Sequence, residues 1–135
     1  MKKEFKSIYI EGFNKYNEEE IKDEIITYFS YNDEELNNIK EQLEKLNIII
    51  AYESIGYNMC DSSGFILFKN IATKELFELH YGCDCNEGFL GQFELEITSL
   101  EYLKSDKFNF YCGGYDSNKT ENQKIVKEFL KNLLI

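Results

Sequence analysis

The spacing of apolar residues changes at about Asn47, from a helical period before it to an extended pattern after it. Upstream, Ile21, Ile25 and Phe29 recur every four residues, which indicates the buried face of a helix over residues 17–31. Asn17 is a suitable N-cap, and the three glutamates that follow it suit the positive end of the helix dipole. The first part of the chain is therefore predicted to be helical.

A second helical pattern follows at once, over residues 32–47. Asn32 provides the N-cap and acidic residues fill the first turn. Its apolar stripe is predicted to comprise Leu36, Ile39, Leu43 and Leu46. Asn47 suits a left-handed stop at the end of the helix. Two adjoining helices with a short link predict a helical hairpin.

Five downstream segments are rich in β-branched and aromatic residues, or alternate between apolar and polar residues, as strands do. They span residues 48–57, 64–71, 74–82, 91–97 and 107–114. Within 91–97, the alternation predicts that Glu94 and Glu96 share one wet face of a strand. Thr98 and Glu101 have the spacing of a capping box, and so do Thr120 and Gln123, which predicts a short helix and a C-terminal helix.

This order of elements predicts an α+β fold in one domain, residues 1–135. We expect an antiparallel sheet of about four to five strands (48–114), with an N-terminal helical hairpin (1–47) and a C-terminal helix (118–135) packed on one face. The segment before the first helix, residues 5–13, fits either an edge strand or a helical turn.

The charge is strongly negative, at −10, and all fifteen basic residues are Lys. The middle of the chain, residues 48–103, carries nine carboxylates against two lysines. Such a segment repels phosphate, so direct binding of nucleic acid is not expected. The same field favours a basic protein partner, whereas the simplest interpretation is a solvated acidic surface. No apolar run approaches the length of a membrane span, and we expect a cytoplasmic protein.

The only histidine and the four cysteines raise the question of a metal site. His80, Cys83, Cys85 and Cys112 would be the ligands of a zinc site, but one Cys-x-Cys pair is only part of the usual zinc signature. Asp84 and the nearby Glu87 would raise the thiol pKa, which disfavours redox chemistry. The favoured interpretation is that the cysteines pack at the end of a strand and that the protein holds no cofactor.

A resemblance to a known family covers residues 48–103. The motifs are "AYESIGYNMCDSSGFILF", "ELFELHYGCDCNEGF", "LGQFELE" and "TSLEYL", that is, a Cys-x-Cys turn followed by Gly-Gln-aromatic-Glu. In these motifs the chain resembles a family of small uncharacterised proteins of bacteria and phages. It departs from the family at Gly82, where a His often stands, and at Phe93, where a Trp is usual. The resemblance implies an order of elements and a phage or prokaryotic origin, and no catalytic residues.

No pattern for nucleophilic catalysis, acid–base catalysis or phosphate binding is convincing. The sequence therefore favours a non-enzymatic, phage-encoded counter-defence inhibitor, similar in role to an anti-CRISPR protein. It would bind a basic host protein, such as a CRISPR effector, through acidic and tyrosine side chains. The expected contact residues are Tyr57, Asp61, Tyr81, Asp84, Glu87, Glu94, Glu96 and Tyr115. The alternatives are a small zinc-stabilised domain, with Cys83 and Cys85 as ligands, and a small phage metabolic enzyme.

Overall fold

The protein is described from a computed structural model, which places residues 7–54, 62–83, 88–109 and 119–133. Within these ranges, five strands form one mixed sheet, accompanied by four helices, so the α+β class is confirmed. In chain order the elements are β1 (Ile8–Glu11), α1 (Glu18–Phe29), α2 (Asp33–Leu43), β2 (Leu46–Ser54), β3 (Ser63–Asn70), β4 (Leu76–Gly82), β5 (Glu96–Thr98), α3 (Leu100–Leu103) and α4 (Lys119–Lys131).

The first two helices begin where the sequence predicts. The side chain of Asn17 accepts a hydrogen bond from the Glu20 amide at 2.8 Å, and the Glu20 carboxylate accepts one from the Asn17 amide at 3.1 Å. This capping box satisfies backbone donors that the first turn of α1 leaves unpaired. Asn32 caps α2 in the same way, through the Glu35 amide at 2.8 Å.

The predicted end of the second helix is wrong. Helix α2 ends at Leu43, and Leu46 and Asn47 already belong to β2. The side chain of Leu46 is buried, so the same residue fits a helical stripe and a strand equally well. Pairing with β3 decides the outcome, because Leu46 lies opposite Asn70 in that ladder.

The N-terminal segment forms an edge strand, which settles the alternative that the sequence leaves open. Strand β1 pairs with β2 in parallel, with Ile8 opposite Ile50. Parallel neighbours need a crossover between them, and here α1 and α2 supply it. The sheet is consequently mixed and only mostly antiparallel, in the order β1-β2-β3-β4-β5.

The predicted strand at residues 91–97 is shorter and lies later in the chain. Only Glu96–Thr98 is extended and paired, with Glu96 opposite Glu78 of β4. Glu94 precedes β5, so Glu94 and Glu96 do not share a face of one strand. Residues 107–109 are not a strand, and the rest of the predicted strand to 114 lies outside the described residues.

The helices pack against two separate hydrophobic clusters rather than on one face. Alternate residues of β3 belong to different clusters: Phe65 and Leu67 to one, and Ile66 and Phe68 to the other. Because successive side chains of a strand point to opposite faces, the clusters lie on opposite sides of the sheet. The first cluster includes α4 residues such as Val126 and Leu130, and the second includes residues of α1 and α2.

The capping box predicted at Thr98 is corrected by one residue. The N-cap of α3 is Ser99 rather than Thr98, and its side chain accepts a hydrogen bond from the Tyr102 amide at 3.2 Å. Helix α4 is described from Lys119 onward, and the residue that precedes it lies outside the described ranges. None of the helices in the described ranges combines the length and the apolar character that a membrane span requires.

Candidate functional site

Two cavities lie on opposite faces of the sheet, and β4 contributes to both. The His80 cavity, of about 670 Å³, is lined by Glu78, His80 and Glu96, with residues of α3 and its N-cap. The Glu53 cavity, of about 500 Å³, is lined by residues of α1, β2 and β4 and by the segment 88–90. The alternation of β4 sends His80 to one cavity and Tyr81 to the other.

A hydrogen bond across the sheet organises the Glu53 cavity. The Tyr81 hydroxyl on β4 donates to Oε2 of Glu53 on β2 at 2.6 Å. Strand β3 lies between these two strands, and there Gly64 is the residue opposite Tyr81. A Cβ at Gly64 would overlap the Tyr81 ring, so the missing side chain makes room for the ring to reach Glu53.

The environment of Glu53 favours its neutral form. Burial raises the pKa of this carboxyl, and the nearby negative charge of Glu24 raises it further. The hydrogen bond from Tyr81 opposes both effects and lowers the pKa, because it stabilises the carboxylate. A partly buried carboxyl with a raised pKa inside a cavity is a frequent feature of functional sites.

Aromatic side chains form a wall of the Glu53 cavity. The rings of Phe29, Tyr81 and Phe89 are in mutual contact, with centroid distances of 4.9 Å for Phe29–Tyr81, 5.5 Å for Phe29–Phe89 and 4.7 Å for Tyr81–Phe89. We call these three residues the aromatic wall. Phe13 also lines the cavity, as does Cys83. The site is therefore mainly apolar, with a few polar groups, as small-molecule sites are.

The His80 cavity is centred on a histidine–carboxylate pair. The Nε2 atom of His80 lies 2.8 Å from Oε1 of Glu78, whose residue is only 6% exposed. The imidazole ring also packs on Phe65, with centroids 5.0 Å apart. Glu96 faces the pair from the opposite strand position and is exposed. The alternation of β4 places Glu78 and His80, two residues apart, on the same face of the sheet.

Of the contact residues predicted from the sequence, three lie in the described ranges. Glu94 and Glu96 are exposed, but Tyr81 is only 6% exposed and its hydroxyl is bonded to Glu53. The prediction that Tyr81 lies on a contact surface is therefore wrong, because Gly64 lets its ring pack inward. The other five predicted contact residues, namely Tyr57, Asp61, Asp84, Glu87 and Tyr115, lie outside the described residues.

Of the proposed zinc ligands, His80 and Cys83 lie in the described ranges. His80 and Cys83 line cavities on opposite faces of the sheet, so these two cannot bind one ion. Within residues 7–54, 62–83, 88–109 and 119–133, no three His, Cys, Asp or Glu side chains are grouped as metal ligands. Cys60, Cys85 and Cys112 lie outside these ranges.

Gln92 is a structural residue whose role the sequence did not reveal. Its amide group donates to the backbone oxygens of Gly82 at 2.7 Å and Gly88 at 3.2 Å, and its oxygen accepts from the Gly82 amide at 2.9 Å. The side chain thus pairs with Gly82 as a neighbouring strand would. The Gly91 amide, one residue earlier, bonds to the Phe29 carbonyl at 3.1 Å. The Gly-Gln motif therefore attaches this segment to β4 and α1.

Glu53 was also missed, since nothing in its local sequence marks it. Its features arise from Tyr81, 28 residues away in the chain, and from Glu24 on α1. The residues between, which include Gly64, carry no motif for such a pair. The only available signal was that Glu53 is the one charged residue of a largely apolar strand.

The helical hairpin formed by α1 and α2 has an acidic surface. Residues 17–44, which we call the acidic hairpin, contain ten carboxylates against two lysines, a net charge of −8. Tyr28 and Tyr31 are 55% and 53% exposed there. Helix α4, packed against the other cluster, carries four lysines and two glutamates, so the two sides of the sheet differ in charge.

Comparison with known proteins gives no further guide to the class of this chain. It matches no protein family, no curated protein and no solved structure.

Proposed function

We propose that the protein is a non-enzymatic, phage-encoded counter-defence inhibitor that binds a basic nucleic-acid-handling protein of the host. One observation carries the proposal, which is the acidic hairpin with its exposed tyrosines. Carboxylates of one sign attract a positively charged groove and raise the rate of association. Exposed tyrosines add large contact areas at a low cost in conformational entropy.

The arrangement of the hairpin supports contact with an extended basic surface. Glu19, Asp23, Glu34, Glu41 and Glu44 are all exposed. The buried apolar residues of the two helices belong to a cluster that also contains sheet residues; they are Ile21, Ile25, Phe29, Ile39 and Leu43. The carboxylates therefore stand on a packed support and need little ordering when a partner binds. Such a surface would occupy a channel that otherwise holds nucleic acid.

The test uses cells with active CRISPR immunity and a phage that this immunity targets. Expression of the wild-type protein should restore plaque formation, and the Asp23→Asn/Glu41→Gln/Glu44→Gln variant should restore much less. The purified protein should also retain a basic host protein at low salt and release it as salt is raised. Unchanged immunity with the wild-type protein, together with no salt-sensitive partner, would refute the proposal.

Two matched controls locate the surface. Tyr28→Ala should weaken inhibition, whereas Tyr102→Ala, at a 40% exposed tyrosine of α3, should not. The Glu94→Gln/Glu96→Gln variant tests the surface that the sequence predicts near β5. If only that variant loses inhibition, the protein is still an inhibitor, but its contact surface is near β5 and not on the acidic hairpin.

A second candidate, a small enzyme, is favoured by the Glu53 cavity alone. A carboxyl whose pKa is raised by its surroundings is a candidate general acid or base. Incubation with a panel of metabolites, with Glu53→Gln as the inactive variant, tests this candidate. Turnover that Glu53→Gln leaves unchanged would remove it.

A further inference from the structure

The Glu53 cavity has an imbalance of charge. Glu53 and Glu24 both line it, and the described lining residues include no Lys and no His. Oε2 of Glu53 accepts the Tyr81 hydroxyl, whereas Oε1 accepts no hydrogen bond from the part of the chain that the structure describes. A partly buried carboxylate without a positive partner loses some of its hydration, and a positive ligand would offset that loss.

The aromatic wall adds a second preference for positive charge. The rings of Phe29, Tyr81 and Phe89 contact one another at angles between 35° and 77°. A cation near the face of an aromatic ring is attracted by the ring's quadrupole, most strongly where water is excluded. Of the three residues, Phe89 is the most exposed and offers apolar surface for the rest of a ligand, whereas Phe29 and Tyr81 are buried behind it.

We propose that the Glu53 cavity binds a small organic ammonium compound, whose nitrogen pairs with Glu53 and Glu24 and whose apolar body lies against the aromatic wall. The volume of about 500 Å³ falls within the range of small-molecule sites. This inference does not depend on the inhibitor proposal, because the cavity and the acidic hairpin are tested by different ligands.

Other ligand classes fit the cavity less well. Two carboxylates repel an anion, and a neutral apolar compound would leave both of them without a positive partner. A bare metal ion needs three or more ligating side chains, and the described residues offer no such group. An ammonium group meets the carboxylates with a single compact charge and three donors, one of which can reach Oε1 of Glu53.

Binding should be coupled to the ionisation of Glu53. The titratable groups that line the cavity are Glu24 and Tyr28 on α1, Glu53 on β2, and Tyr81 and Cys83 at the end of β4. The ammonium compound pairs with the ionised form of Glu53, so binding releases a proton when that carboxyl is protonated beforehand. Affinity should therefore rise with pH through the titration of Glu53 and then level off.

Calorimetric titration with three probes of similar shape tests the proposal: 2-phenylethylamine, 2-phenylethanol and 3-phenylpropanoate. The ammonium probe should bind about tenfold or more tightly than the alcohol, because hydrogen bonds to charged groups are the stronger ones. The carboxylate probe should not bind. Equal affinity for the amine and the alcohol, or tighter binding of the carboxylate, would overturn the proposal.

Variants then test whether the carboxylates of this cavity cause the preference for the amine. Glu53→Gln retains an oxygen that can accept the Tyr81 hydroxyl, so the fold should persist while amine affinity falls about ten- to hundredfold. Glu24→Gln, on the surface of α1, should give a smaller loss and serves if the first variant does not fold. Glu101→Gln, an exposed residue of α3, should change nothing. Full amine affinity in both cavity variants would refute the inference.

Discussion

The substitution Gly64→Ala should be strongly destabilising because of one contact across the sheet. A Cβ at this position would overlap the Cζ, Oη and Cε1 atoms of Tyr81. Non-bonded carbons prefer separations of about 3.5–4.0 Å, so the ring must move by on the order of 1 Å. Its contacts with Phe29 and Phe89 and its 2.6 Å hydrogen bond to Glu53 leave no easy direction for that movement.

The expected loss of stability follows from two effects, the overpacking of a buried site and the loss of one hydrogen bond. Overpacking of a buried site costs about 1–3 kcal/mol, and a broken hydrogen bond to a charged group costs about 1.5–3 kcal/mol. Together they give a loss of about 2.5–6 kcal/mol in the free energy of unfolding. For a domain of this size, such a loss lowers the melting temperature by roughly 10–20 °C. Thermal and urea unfolding followed by circular dichroism measure both quantities.

A matched control and a double mutant isolate the contact. Gly82 lies in the neighbouring strand, and a Cβ there meets nothing within 4 Å, so Gly82→Ala should be nearly neutral. In a Tyr81→Leu background, which lacks the overlapping ring atoms, Gly64→Ala should be neutral or stabilising by about 0.5–1 kcal/mol. The reasoning is refuted if Gly64→Ala costs less than about 1 kcal/mol in the wild type. It is refuted equally if the substitution costs the same in both backgrounds.

Three further substitutions test other features of the fold. Gln92→Ala should cost about 2–3 kcal/mol in chemical unfolding, since it removes three hydrogen bonds, whereas Gln42→Ala on α2 should cost little. Asn17→Ala should cost about 1 kcal/mol by removing the capping box, and Asn37→Ala, exposed within α2, should not destabilise. The stability of Glu53→Gln relative to the wild type should increase as pH rises. The pKa of Glu53 is raised in the folded state, so its contribution to the free energy of unfolding is greatest below the unfolded pKa. The wild type loses that contribution as pH rises through the folded pKa, whereas the variant has no group to titrate. The Glu53 prediction is contradicted if the stability–pH curves of the two proteins are parallel. The Gln92 prediction is contradicted if Gln92→Ala leaves stability unchanged, and the Asn17 prediction if Asn37→Ala is as destabilising as Asn17→Ala.

The starts of the helices could be predicted because they depend on neighbouring residues. The cap at Asn17 needs only the Glu20 side chain three positions away, and the stripe of α1 needs only its own spacing. The end of α2 could not be predicted in this way. Leu46 suits both structures, and its pairing with Asn70 of β3, a residue far along the chain, makes it part of a strand.

The candidate site was largely beyond prediction. Tyr81 is one of ten tyrosines, and its position beside turn-like residues suggests exposure. It is buried because Gly64 on the next strand leaves space for its ring and Glu53 on the strand beyond accepts its hydroxyl. Each of these facts concerns the register of the sheet, which local spacing does not specify.

The sequence by itself determined the α+β class, the caps of α1 and α2, and the separation of a helical segment from a strand-rich one. These follow from local periodicity and from hydrogen bonds within a single turn of chain. Only the tertiary structure decided that β1 joins the sheet in parallel and that His80 and Cys83 lie on opposite faces. It also decided that Glu53 and Tyr81 meet, because pairing between distant strands selects which side chains become neighbours.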